Sequence, residues 1–233
     1  MRVLDLFSGI GGFSLGAEAA GAKTVAFAEI EPYPARILEK HWPDVPNLGD
    51  ITKIESYPDA DAIVAGFPCQ DLSNAGKRAG LTGERSGLWW EVVRAIRLVR
   101  PKLVLMENVG AIVNRGLSTI LGQMAVERYD AEWDCIPATA VGLPHRRIRA
   151  WIAAYSQRDE QSRQEPRCGS FGRVGRFLKP VQENAGDWKT ALAEIRGMDD
   201  GLPRSVDRTD TLRNAIVPQI PQAIFQAIME RDA

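Results

Sequence analysis

The chain has 233 residues, with 29 Lys and Arg against 30 Asp and Glu, a net charge of −1 and 45% hydrophobic residues. That size and balance fit one α/β domain, or one domain with a small appendage, and exclude a polycationic or low-complexity chain. No apolar run approaches the roughly 20 residues that a membrane span requires, so no membrane association is expected.

The N-terminus opens directly on a strand-like segment, residues 2–7. No charged region followed by an apolar stretch precedes it, so no signal peptide is expected. Strand patterns follow at residues 24–28, 62–66 and 103–107, with a further pair at 133–137 and 148–153. Helical patterns lie between them near 12–20, 33–41, 88–99 and 118–127. This alternation predicts an α/β fold with a mostly parallel sheet and helices on both faces. Residues 155–186 break the pattern, being polar, glycine-bearing and poor in apolar residues. They read as an inserted recognition segment or a partly disordered loop. A helical pattern resumes at 188–195. The last stretch carries Ile216, Ile220, Ile224 and Ile228 at four-residue spacing, one face of a helix docking on the sheet. Pro218 and Pro221 put the start of that helix near Pro221.

Charge is uneven along the chain. Between His145 and Lys179 lie Arg146, Arg147, Arg149, Arg158, Arg163, Arg167, Arg173 and Arg176, opposed only by Asp159, Glu160 and Glu165. Such a stretch is either a solvated surface or a polyanion-binding segment, and its arginine bias suits phosphates and base edges. The three cysteines, Cys69, Cys135 and Cys168, are odd in number and widely spaced. They form neither a disulfide framework nor a metal-ligand pair, which points to a reducing cytoplasm and no bound metal.

Two places carry chemistry. The first strand runs into Asp5-Leu6-Phe7-Ser8-Gly9-Ile10-Gly11-Gly12, a glycine turn that opens a helix and lets a ligand approach the backbone. The dinucleotide fingerprint GxGxxG is absent, which argues against NAD. Glu29 ends the second strand, where a carboxylate can take the two hydroxyls of a ribose. Asp50 can accept a hydrogen bond from an adenine amino group. Each acid alone reads equally as a cap or a surface charge; with the glycine turn they point to an adenosine-bearing ligand. The second place is Phe67-Pro68-Cys69-Gln70. An apolar run that stops at Gly66 and Pro68 displays the Cys69 thiol at the lip of the sheet, as a nucleophile or as a small buried hydrophobe.

These blocks, in this order, resemble the DNA (cytosine-5) methyltransferase family. The glycine block is followed by Gly66-Phe67-Pro68-Cys69-Gln70, by Glu107-Asn108-Val109, and by Pro144-His145-Arg146-Arg147-Ile148-Arg149. Arg213-Asn214-Ala215-Ile216-Val217-Pro218 resembles the family's C-terminal block. The resemblance implies a class I S-adenosylmethionine-dependent methyltransferase (Rossmann-like) fold. It implies a catalytic and cofactor-binding domain over 1–154, a reduced target-recognition segment over 155–198, and a segment over 199–233 that returns to the catalytic domain.

The same resemblance implies S-adenosylmethionine as cofactor and S-adenosylhomocysteine as product. Phe7 would stack on adenine, with Ser8, Gly9, Gly11 and Gly12 under the methionine end. Glu29 and Ile30 would hold the ribose side, Asp50 and Ile51 the adenine. Pro68, Asn214 and Ala215 would complete the pocket. Cys69 would attack C6 of a flipped-out cytosine, making C5 nucleophilic toward the methyl group. Glu107 would hold N3 and the amino group, and Arg147 and Arg149, two apart on a strand, would share a face, one of them holding O2. Gln70, Ser73, Lys77, Arg78, Arg85 and Asn108 would meet the DNA, residues 73–85 as a loop closing over the base. Double-stranded DNA is the implied partner, with a cognate restriction endonuclease or a separate recognition chain as further candidates. Two positions depart from the family's pattern: His145 stands where glutamine is common, and Arg213 where glycine precedes the asparagine. The short recognition region keeps two other readings open, a tRNA cytosine methyltransferase and a nucleic-acid-binding protein of the same fold without turnover.

Overall fold

A computed structural model describes residues 1–68, 87–143, 147–157, 171–174 and 215–232. Six strands form one sheet: β1 (Arg2–Leu6), β2 (Lys23–Ala28), β3 (Ala62–Ala65), β4 (Leu103–Val109), β5 (Tyr129–Pro137) and β6 (Ile148–Ser156). Their order is β2-β1-β3-β4-β6-β5. The first four are mutually parallel, and β6 runs antiparallel to both β4 and β5. The sheet is therefore mostly parallel, with one reversed strand.

The inner strands read as unbroken apolar runs because helices cover both sheet faces. All four residues of β3 are buried, and so are Leu103 to Asn108 of β4. One face packs on α3 (Leu88–Val99) and α5 (Leu117–Val126), with the four-residue α4 (Ile112–Arg115) between β4 and α5. The other packs on α1 (Gly12–Ala19), on α7 (Gln219–Asp232) and on Val174 of the short α6 (Phe171–Val174). The outer α2 (Pro32–His41) starts on a proline and ends on Lys40 and His41, the charge order that a helix dipole favours. No helix among the described residues is long and apolar enough to cross a membrane.

The structure moves some boundaries. β5 begins at Tyr129, four residues before the predicted strand, because Tyr129 to Glu132 continue the register against Ala153 to Ser156. Beyond the buried Tyr129 this first half is only half-buried and carries Asp130 and Glu132, which hid it from a search for apolar runs. β6 likewise continues through Tyr155, which is buried and pairs with Leu103. The predicted helix at 188–195 lies outside the described residues. α7 begins two residues before Pro221, which sits within the first turn, where a proline removes no intrahelical bond.

Two glycines explain how α7 reaches α1. A Cβ on Gly12 would stand 2.7 Å from the Ile216 carbonyl oxygen, and one on Gly16 would collide with the Pro218 carbonyl oxygen and lie 2.8 Å from Pro221 Cγ. Their four-residue spacing places both on one helix face. That bare face lets the backbone of 216–222 lie against α1, while Ile220, Ile224 and Ile228 are buried beneath. Ser14, on the same helix, donates from Oγ to the Asp5 Oδ2 in β1 at 2.7 Å. Burial pushes the Asp5 carboxyl up to about 8, against the lowering effect of that bond, so it is a neutral acid at pH 7.

Gly16→Ala should destabilise the chain by about 1–3 kcal/mol in urea unfolding, because the clash is with backbone. Gly122→Ala, on a helix with open space around its Cα, should raise stability by about 0.5–1 kcal/mol. Equal effects from the two would contradict the packing described here.

Candidate active site

The carboxyl ends of β1 to β4 open on one cleft of about 740 Å³. It lies at the point where strand order reverses between β1 and β3, the place where open α/β sheets bind ligands. At one end are Phe7, Ser8 and Gly9, with Glu29, Ile30 and Asp50 facing them; at the other are Gly66, Pro68 and Glu107. Ala215 and Ile216 supply a wall from far along the chain.

The glycine turn is built by left-handed backbone at three residues: Phe7 (φ 56°), Gly9 (φ 53°) and Gly11 (φ 82°). In Phe7 this conformation costs about 1 kcal/mol, and it is held by the Phe7 N–H donating to the Ala28 carbonyl at 2.9 Å. It turns the chain off β1 beside the end of β2. The Gly9 N–H then donates to Glu29 Oε2 at 2.7 Å, and the Glu31 N–H to Glu29 Oε1 at 2.7 Å. Each Glu29 oxygen is thus oriented and keeps a lone pair for a ligand hydroxyl. Gly11 faces Trp42 and Leu38, and Gly12 faces Ile216; both permit close chain contacts at these positions.

Asn47, which the sequence reading did not single out, fastens this end. Its Oδ1 accepts from the Glu29 and Gly49 N–H groups, and its Nδ2 donates to the Glu29 carbonyl. The segment around it pairs with Phe27 on the outer edge of β2. Asp50 follows and caps a short 3₁₀ turn, Ile51–Lys53, through Thr52. The Thr52 hydroxyl and amide, with Lys53 adding its charge, hold the Asp50 carboxyl below its usual value, so it is an anionic acceptor on the cleft. The signal available in the sequence was the turn-forming string Asn47-Leu48-Gly49-Asp50.

At the far end Glu107 is 8% exposed. In the β4–β6 register Arg149 stands opposite Val109, two residues past Glu107, and so shares the Glu107 face. The Arg149 Nε lies 2.8 Å from Glu107 Oε1. Burial pushes the Glu107 carboxyl up to about 6, the nearby charges of Arg149 and Arg147 opposing the rise. Half-buried Arg147 feels the same cluster: burial and then repulsion from Arg149 lower its affinity for its proton, and Glu107 raises it. The two arginines and the acid are therefore one electrostatic unit. Asn108 is buried; its Nδ2 donates to the Phe67 carbonyl at 2.9 Å and its Oδ1 accepts from the Val109 N–H. It ties β4 to the residue just before Pro68.

Cys69, Gln70, Ser73, Lys77, Arg78, Arg85, His145, Arg213 and Asn214 lie outside the described residues. Cys69 follows in the chain directly on Pro68, which lines the cleft next to Glu107. The residues present fit an adenosine-bearing ligand: the Phe7 ring, the Glu29 carboxylate held by two amides, and the Asp50 carboxylate all line one cleft. Residues not anticipated from sequence also line it, among them Tyr33, Arg36 and Leu88.

The Glu107 carboxyl titrates at 4.5 when free and at about 6 in the folded chain. The folded state holds the proton more tightly, so stability from this group is full below 4.5, falls as pH rises toward 6, and is level above it. Glu107→Gln should lack that slope. Between about pH 4.5 and 6.5 its unfolding free energy should gain about 2 kcal/mol relative to the unsubstituted chain.

A sequence model of C-5 cytosine-specific DNA methylases matches residues 1–223. Among curated relatives, the type II methyltransferase M2.BsuMI of Bacillus subtilis is 38% identical over 165 residues, covering 66% of this chain and 42% of that protein. M.DsaV of Dactylococcopsis salina is 34% identical over 168 residues, covering 70% and 48%. The chain thus spans less than half the length of these relatives. Among solved structures, a DNA modification methyltransferase encoded within an E. coli prophage is 25% identical with a TM-score of 0.55, covering 67% of this chain and 47% of that one. The Dnmt2 methyltransferase of S. pombe, at 21% identity and a TM-score of 0.62, covers 78% and 57% and shares the fold. The sheet order, the cleft at its switch point and the match over nearly the whole length agree, and the chain belongs to the C-5 cytosine-specific DNA methylase family.

Proposed function

We propose that this chain transfers a methyl group from S-adenosylmethionine to C5 of cytosine in DNA, with Cys69 as nucleophile. The observation that carries the reading is Glu107: a nearly buried carboxyl, titrating at about 6 and braced by Arg149, at the end of a cleft whose other end suits adenosine. S-adenosylmethionine, when bound, supplies an electrophilic methyl group. Phe7 would stack on the adenine, Glu29 with Ile30 would hold the ribose side, and Asp50 would accept from the adenine amino group.

The remaining work falls to side chains acting on cytosine. The Cys69 thiolate adds to C6, and the electron pair moves into the ring toward N3. Glu107, protonated in a fraction of molecules near neutral pH, donates to N3 and neutralises the charge that develops there. Arg149 restrains the acid, and Arg147 beside it adds positive potential for O2. C5 then carries the nucleophilic electron pair and would take the methyl group, whose bond to sulfur breaks to leave S-adenosylhomocysteine. Loss of the C5 proton to a base expels the Cys69 sulfur and restores the ring. The arginine pair also favours thiolate over thiol at a nearby cysteine. Asn108 holds the Phe67 carbonyl, so the acid and the chain leading to Cys69 keep a fixed relation.

Duplex DNA is the substrate in this reading. A cognate restriction endonuclease or a separate recognition chain is a further partner, in keeping with the type II relatives and the short recognition segment. The setting is the cytoplasm, on DNA.

Methyl transfer from labelled S-adenosylmethionine to duplex DNA should be lost by about 10³-fold or more in Cys69→Ala. Glu107→Gln should lose about 10²-fold while still binding S-adenosylhomocysteine. DNA containing 5-fluorocytosine should trap a covalent adduct with the unsubstituted chain alone. Equal labelling by both proteins, or preference for tRNA in direct competition, would overturn the proposal.

A further inference from the structure

Residues 54–61, after the 3₁₀ turn that carries Asp50, form no regular secondary structure before β3 begins at Ala62. The turn is held from the neighbouring helix. Arg94 on α3 donates from Nη2 to the Ile51 carbonyl at 2.5 Å and from Nη1 to the Ile54 carbonyl at 2.6 Å. Its Nε donates to Glu91 Oε2 at 2.6 Å, one helical turn earlier. All three bonds lie along the edges of one planar group. The guanidinium therefore sets the distance and the angle between two carbonyls 40 and 43 positions away in sequence. Ile51 and Ile54 are buried in the core beneath, while Asp50 faces the cleft.

We propose that Arg94 is the positioning residue for adenine recognition: by clamping the 51–54 turn it places the Asp50 carboxylate where an adenine amino group meets it. The inference rests on the cofactor reading above and deepens it. Asp50 orients itself only locally, through Thr52 and Lys53, which move with it. Besides the core packing of Ile51 and Ile54 and the Leu48 N–H bond to Phe27, the turn is referred to the rest of the molecule by the Arg94 clamp, which alone of these holds its carbonyls in fixed geometry. Because α3 also carries Leu88 into the cleft wall, the clamp ties one rigid helix to both the adenine end and the wall beside Pro68. Lysine at this position would keep the charge but offers no planar fork, so it can serve one carbonyl and not two in fixed geometry.

A structural role alone would weaken every ligand alike, whereas a positioning role acts on the amino group. The test compares S-adenosylhomocysteine with its 6-deamino analogue, in which purine C6 carries hydrogen, by calorimetry on the full chain. The unsubstituted chain should prefer the adenosyl ligand by about tenfold, the worth of a hydrogen bond to a charged acceptor. Arg94→Met should lose that preference while the deamino analogue binds as before. Arg94→Lys, which keeps the charge and guards against a variant that fails to fold, should keep only part of it. Asp50→Ala should abolish it. If Asp50→Ala abolishes the preference and both folded Arg94 variants retain it, the positioning role is wrong and the cofactor reading stands. If the unsubstituted chain shows no preference, the Asp50 assignment fails and the inference falls with it.

Discussion

The pairing of Glu107 with Arg149 constrains everything around it. A carboxylate buried at the end of a central strand is costly in isolation, and it is retained because a guanidinium from the reversed strand β6 reaches it at 2.8 Å. That requires β6 to lie beside β4 and to run antiparallel, so that residues near the start of β6 meet the end of β4. A sixth strand running the other way would bring Ser156 there instead. The single reversal in an otherwise parallel sheet is thus tied to the chemistry of the cleft. Two carboxylic acids are kept by different means: Asp5 is fully enclosed and stays neutral, while Glu107 is poised near neutrality by two opposing effects.

The cleft itself is assembled by hydrogen bonds between its own members. Gly9 holds Glu29, Asn47 holds the backbone of Glu29, and Asn108 holds Phe67. Each bond fastens the residues at a strand's end to a neighbouring segment of the cleft. The ligand groups it would meet are met by acceptors already in place, which lowers the ordering cost of binding.

Much of this was legible in the sequence because strands in a parallel sheet deliver their C-terminal residues to one edge. Glu29 and Glu107 could be placed from the apolar runs before them, and Arg149 from its alternation with Arg147. Asn47 was signalled only as part of a turn, and the reach of Arg94 to the 51–54 turn not at all. The partners that matter there are backbone atoms, which leave no trace in residue identity; Arg94 with Glu91 reads as one more ion pair on an amphipathic helix. Gly11 and Gly12 have a further role that residue identity does not show: their bareness admits Trp42 and the Ile216 backbone. The first half of β5 was hidden by the charged residues Asp130 and Glu132 that interrupt it.

The seat of α7 on α1 joins residues about 200 positions apart. Such a contact cannot form until the roughly 200 residues between its two halves have been made, since ribosomes deliver the chain in order at several residues each second. Until residues 215–232 have emerged, α1 carries an uncovered apolar flank and the cleft lacks one side. A nascent chain that stops short of Ala215 would thus lack the wall against which a small molecule could be held.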